Sequence, residues 1–161
     1  MNKSLVAVYR ITGIIVSLFS YLLLFSALTA FFQVGMQGML LLGVFLAACM
    51  VIYSILSGMF ARLVLMLGQP IRYSLKDWIK VNAYVSLLFT GLTVIGMTVV
   101  LSNPARLETV MQQYPADMRP TPAMMTQALA FLKGLLVVCA LTFVHCIWTL
   151  RLVRKFREFF Q

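Results

Sequence analysis

Apolar positions run through this chain in long blocks that charge interrupts at only a few places. From Ile11 to Ala61 there are 51 consecutive residues without a charged side chain, and charge-free runs recur at Val81–Ala105 and Gly134–Leu150. A bilayer core of about 30 Å takes about 20 helical residues to cross. The first run is too long for one crossing and suits two, with Gln33–Gly38, rich in glycine and glutamine, as the turn between them. The pattern predicts an all-α protein: an integral membrane four-helix bundle forming one membrane domain over 1–161. Its spans fall at about 11–32, 39–61, 81–101 and 128–150.

The segments between the spans carry their own signals. Residues 62–80 form a loop in which Leu63–Leu67 continues helical and Gly68-Gln69-Pro70 stops it, because proline lacks a donor and restrains the residue before it. Within it, Leu75, Trp78 and Ile79 share one side at helical spacing while Lys76 and Lys80 lie at i and i+4. That arrangement predicts a short interfacial amphipathic helix at Ser74–Lys80 between the second and third spans, with Ser74 as cap and Asp77 three residues on. The connection 102–127 is the longest; Arg106–Gln113 has room for two helical turns, and Thr121-Pro122 is a helix start. In the basic tail 151–161, Phe156, Phe159 and Phe160 fall at i, i+3 and i+4, an apolar face suited to the membrane interface or to a docking protein.

Charge fixes the expected orientation. Thirteen Lys and Arg against four Asp and Glu give +9, yet only 11% of residues are charged. In a soluble domain that balance points to nucleic acid; here the cations sit at the ends of apolar runs, so no nucleic acid is expected. Lys3, Arg10, Arg62, Arg72, Lys76, Lys80, Arg151, Arg154, Lys155 and Arg157 fall on one side, Arg106 and Arg119 on the other. The excess places both termini in the cytoplasm, with 62–80 cytoplasmic and 102–127 extracytoplasmic. The apolar run after Lys3 and Arg10 exceeds the 7–15 residues of a signal peptide, so it reads as a retained first span. Cys49, Cys139 and Cys146 all lie in apolar runs, which argues against a disulfide framework. A bacterial inner membrane is the favoured location.

Few residues are candidates for chemistry. Lys133 is the only charge within an apolar segment. It sits about five residues, or ~7.5 Å, inside the outer end of the fourth helix, within snorkelling reach of the interface; the alternative is a cation facing the bundle interior. His145 is the only histidine and shares a helix face with Thr142 and Thr149, which suits an interhelical hydrogen bond. Asn82, Ser86, Thr90 and Thr93 form a polar stripe on the third helix, for close helix packing or a hydrated path. With one histidine and all four carboxylates outside the spans, no metal site or cofactor is expected. The general acid–base groups of an enzyme are not apparent either.

The chain resembles, by plan only, the many small bacterial four-helix membrane proteins of unassigned role. Likeness to small four-helix drug exporters ends at size, because those depend on a carboxylate in the first helix. The expected function is non-enzymatic: an accessory or scaffold subunit packed against a membrane-protein partner or as a homo-oligomer. Its basic collar of Arg72, Lys76, Lys80, Arg151, Arg154, Lys155 and Arg157 would hold anionic head groups of the bilayer, at about 1 kcal/mol per charge. The competing expectation is an oligomeric small-solute carrier or channel using Lys133 and the third-helix stripe.

The orientation is directly testable. Single cysteines at Ser74 and Thr121 in a cysteine-free background should differ in labelling of intact cells by a membrane-impermeant maleimide. Thr121→Cys should react and Ser74→Cys should react only after permeabilisation; the reverse pattern would invert the topology.

Overall fold

The computed structural model describes residues 3–35, 37–103 and 121–161. It is all-helical. Four helices carry the chain: α1 (Lys3–Val34), α2 (Gly38–Phe60), α3 (Tyr73–Ser102) and α4 (Pro122–Lys155). Each contains a stretch long and apolar enough to cross a membrane. Helix is the natural state for such sequences, because in hydrocarbon every backbone N–H and C=O must find its partner within the segment. At 1.5 Å per residue the helices of 30 to 34 residues are about 45–51 Å long, so their ends reach beyond a 30 Å core.

The helix ends follow from local chemistry. Gly35, at φ +87°, turns the chain out of α1, and its N–H donates to the Phe31 carbonyl at 3.0 Å. α2 runs on into one π-helical turn, Ala61–Met66. Gly68 ends it at φ +62°, a left-handed conformation that glycine adopts without penalty, and the Gln69 N–H closes back on the Leu63 carbonyl at 2.9 Å. At the start of α4, Thr121 is the N-cap and its hydroxyl accepts from the Met124 N–H at 3.3 Å, with Pro122 in the first turn. Arg106–Gln113 lies outside the described residues.

Two sequence expectations change. The segment Ser74–Lys80 is helical, but α3 is continuous from Tyr73 to Ser102, so this segment forms its first two turns and no separate surface helix. Nothing between Lys80 and Val81 interrupts the hydrogen-bond ladder; the break lies earlier, at Gly68–Pro70. Ser74 accordingly lies inside the first turn, and Arg72 occupies the cap position. The tail differs too. α4 ends at Lys155, and a 3-10 turn, Arg157–Phe159, follows, so Phe156, Phe159 and Phe160 do not form one helical face. Phe160 is buried and stacks on Phe60, ring centroids 6.0 Å apart at 10°. Around it the tail pairs in parallel with the segment before α3: the Ile71 N–H donates to the Phe159 carbonyl at 2.8 Å, and the Gln161 N–H to the Ile71 carbonyl at 3.0 Å.

In the bundle, α1 packs against α2 and α4, and α3 against the same two, so the helices form a ring in chain order. Burial is one-sided. The buried side chains among the described residues fall at 9–20, 47–64, 71–90 and 139–160, the half that holds the start of α1 and the end of α4. In that half, Tyr9, Phe60, Val64, Ile79, Val153 and Phe160 form the main apolar cluster. A smaller one of Val16, Tyr53, Ala83 and Cys146 lies next to it.

Truncating Phe160 should therefore be costly. Phe160→Ala is expected to lower unfolding stability in mixed micelles by about 3 kcal/mol, the cost of emptying a buried aromatic site. Phe156→Ala, at a half-buried position, should cost under half of that.

Candidate functional site

Four side chains from three helices meet in the packed half. Tyr9 comes from α1, Tyr53 from α2, and His145 and Thr149 from successive turns of α4; all are at most 1% exposed. A buried phenol or imidazole needs a polar partner, and each of these finds one in another member of the group. Tyr9 Oη lies 2.8 Å from Thr149 Oγ1, Tyr53 Oη lies 2.7 Å from the same atom, and Tyr53 Oη lies 2.8 Å from His145 Nδ1. Thr149 Oγ1 also lies 2.9 Å from the His145 carbonyl.

The Thr149 hydroxyl has one proton for three oxygens within reach, so the network accommodates either imidazole tautomer: His145 Nδ1 donates to the Tyr53 phenol or accepts from it. His145 Nε2 is fully buried, and the Tyr9 carbonyl stands within hydrogen-bonding reach of the ring. The Thr12 hydroxyl lies 3.0 Å from both that carbonyl and the Val8 carbonyl. The imidazole is held flat against the Tyr9 ring, centroids 4.7 Å apart at 20°, and Trp148 meets the other edge of Tyr9 at 5.4 Å.

A cleft of about 380 Å³ lies between α1 and α2, with His145 among its lining. Gly13 packs close on the imidazole: a Cβ there would stand 3.4 Å from Nε2. Ser17, Ser54 and Ser57 also line the cleft. Their hydroxyls donate to the carbonyls of Gly13, Val51 and Ser54 at 2.9, 2.9 and 3.1 Å, and Ser57 also stands within reach of the Tyr9 phenol. Arg10 and Arg62 line the cleft as exposed residues, and Arg62 stands in the π-helical turn. Two guanidinium groups, with five donors each, thus stand where the cleft meets solvent.

The residues singled out from sequence fall in different places. His145 makes an interhelical hydrogen bond, with Tyr53 as its partner. Asn82, Ser86 and Thr90 are buried on the inner side of α3 and Thr93 is half-buried. Asn82, Thr90 and Thr93 donate to carbonyls of their own helix, at 2.9, 2.7 and 2.8 Å, while Ser86 Oγ is buried without a partner. Lys133 is exposed on α4, 12 residues and so about 18 Å along the helix from His145. Of the basic collar, Arg72, Arg151, Arg154, Lys155 and Arg157 are exposed and Lys76 and Lys80 half-buried. Lys76 Nζ sits 4.8 Å from the Tyr73 ring centre and 6.0 Å from that of Phe160. No cluster of metal-ligating side chains occurs among the described residues.

Sequence reasoning passed over Tyr9, Gly13 and Tyr53 as site residues and took Arg10 and Arg62 for orientation charges alone. One signal was available. Tyr53 lies in the middle of a charge-free run, where a phenol has no water to bond, and the single imidazole was the obvious place to look for its partner.

The network makes a ranked prediction. Tyr53→Phe removes the hydroxyl that bonds both His145 Nδ1 and Thr149 and should cost about 1–3 kcal/mol. Tyr9→Phe removes one of two phenol hydroxyls bonded to Thr149 and should cost about 0.6 kcal/mol, a usual value between membrane helices; reversible unfolding in mixed micelles gives both. Compared with known proteins, the chain stands apart: no family model, no curated protein and no solved structure matches it.

Proposed function

We propose that the protein is a non-enzymatic accessory or scaffold subunit of a larger membrane assembly. In this reading it spans a bacterial inner membrane four times with both termini in the cytoplasm, and its basic end rests on the anionic head groups of that leaflet. The observation that carries the reading is the one-sided packing. Helices of about 45–51 Å bury side chains over one half only, and the other half of each presents apolar surface, including Phe25, Phe45, Leu92 and Phe131, between 56% and 71% exposed.

The glycines sharpen the point. Membrane helices associate by close van der Waals contact, and small residues mark where backbones approach. Gly43, Gly96 and Gly134 lie in the loosely packed half, and a Cβ at any of them would meet nothing within 4 Å. Among the described residues, nothing fills these positions from within. A membrane partner with its own small-residue face, or a second copy, would fill them.

The alternative is an oligomeric small-solute carrier or channel. It draws less support. Lys133 is exposed with no polar partner among the described residues to define a site, and the third-helix hydroxyls are mostly spent on their own backbone. An oligomeric path built from outer helix faces is the form it would have to take.

Purification from native membranes in a mild detergent, followed by mass spectrometry of the intact complex, separates the readings. A second membrane protein in fixed stoichiometry is expected, and Gly96→Leu with Gly134→Leu should release it without unfolding the chain. A pure homo-oligomer would move the weight to the carrier reading, and a monomer unaffected by those substitutions would overturn the subunit reading.

A further inference from the structure

The long charge-free run from Ile11 to Ala61 is bounded by Arg10 at one end and Arg62 at the other. α1 and α2 pack side by side, and the hairpin they form brings these two bounding arginines to one place. Both line the cleft of about 380 Å³ between the helices, and both are exposed. Neither makes a hydrogen bond or ion pair to another described residue, and no carboxylate lines the cleft. Two guanidinium groups therefore share one mouth, with nothing among the described residues to balance their charge.

The cleft continues past the arginines. Its lining reaches Ser17 on α1 and Ser54 on α2, about 10–12 Å of helix rise into the charge-free run. Ile14, Gly58 and Ala61 form apolar wall there, and the serine hydroxyls bond carbonyls of their own helices, so an occupant at this depth need bring no polar group. The helices do not close over the space: a Cβ at Gly58 would meet nothing within 4 Å. Charge at the mouth and an uncharged depth behind it match a molecule built the same way. Guanidinium binds phosphate through paired hydrogen bonds, and an apolar chain suits the depth. An acidic side chain from a partner helix would answer the charge and leave the depth empty.

We propose that the cleft between α1 and α2 is a binding site for one anionic phospholipid. Arg10 and Arg62 hold the phosphate, and the start of one acyl chain lies in the depth beside Ile14 and Gly58. The volume, about 380 Å³, is near the lower end of small-ligand sites, about 300–1,000 Å³, so the cleft takes the phosphate and the first part of one chain while the rest of the lipid stays in the bilayer. The site requires that the chain spans a membrane but not that it has a protein partner, because one chain supplies the whole lining.

Native mass spectrometry of the full chain in a mild detergent counts bound lipids one at a time. On titration with phosphatidylglycerol the first lipid should bind more tightly than those that follow. Phosphatidic acid should do the same, and phosphatidylcholine, whose choline cancels the phosphate charge, should not. Arg10→Gln and Arg62→Gln should each weaken the first site about tenfold, the scale of one charge-assisted hydrogen bond. Lys3→Gln removes the same charge from the same helix, ~10 Å from Arg10 by helix rise. That is about a Debye length, so its effect should stay below about threefold. Gly58→Leu keeps both arginines and fills the depth, and it should weaken the first site to a similar extent as they do. The space at Gly58 is open, so this variant should elute as the wild-type chain does.

Losses as large from Lys3→Gln as from the arginine substitutions would mean diffuse attraction and overturn the site. So would unchanged binding in either arginine variant, full binding in Gly58→Leu, or a first lipid held no more tightly than the rest. Glycerol 3-phosphate, which carries the phosphate without a chain, should fail to displace the first lipid even in large excess; displacement would overturn a lipid as the occupant. A chain that holds this lipid but purifies without a protein partner would sink the subunit reading and leave the site standing. A partner in fixed stoichiometry with no tight first lipid would do the reverse.

Discussion

One hydroxyl oxygen holds three helices of this protein together. Thr149 Oγ1 bonds the phenols of Tyr9 and Tyr53 and reaches the carbonyl one turn back. In lipid there is no general apolar driving force between helices, so packing and shared hydrogen bonds must do the joining. Around this oxygen, α1, α2 and α4 are brought to one place, and the aromatic stack of Tyr9 with His145 and Trp148 fills the space beside it. A cleft between α1 and α2 adjoins this network, and Tyr9 and His145 belong to both.

The tail completes the same end of the molecule. Without Phe160 the apolar cluster around Phe60 would open to solvent, and the N–H groups of Ile71 and Tyr73 would lack the acceptors that Phe159 and Gln161 provide, at 2.8 and 2.9 Å. The start of a helix leaves its first N–H groups unpaired. Here the chain's own extended tail supplies the acceptors in place of a capping side chain.

The four helices were legible because the constraint behind them is absolute: long charge-free runs must satisfy their backbones internally. Thr121-Pro122 was legible because both residues act locally. The start of α3 was misjudged because charge was taken as a boundary. Lys76, Asp77 and Lys80 bring a helix out of the apolar region but do not end it; Gly68 and Pro70 do. The fate of Phe160 was hidden for a different reason, since parallel pairing with Ile71 joins positions far apart in sequence and leaves no periodic trace. At the site, Thr149 and His145 showed their common face, but nothing in the pattern marked Tyr9 or Tyr53, because a tyrosine in or beside an apolar run carries no local sign of a partner on another helix.

Tyr53 has one more effect, through its reach. α2 and α4 stand opposite each other in the ring, with α1 and α3 between them, yet the Tyr53 phenol contacts both His145 and Thr149. It crosses the middle of the bundle to do so. At that level phenol, imidazole and threonine are bonded to one another across the bundle, so one side chain ties together two helices that are not neighbours in the ring.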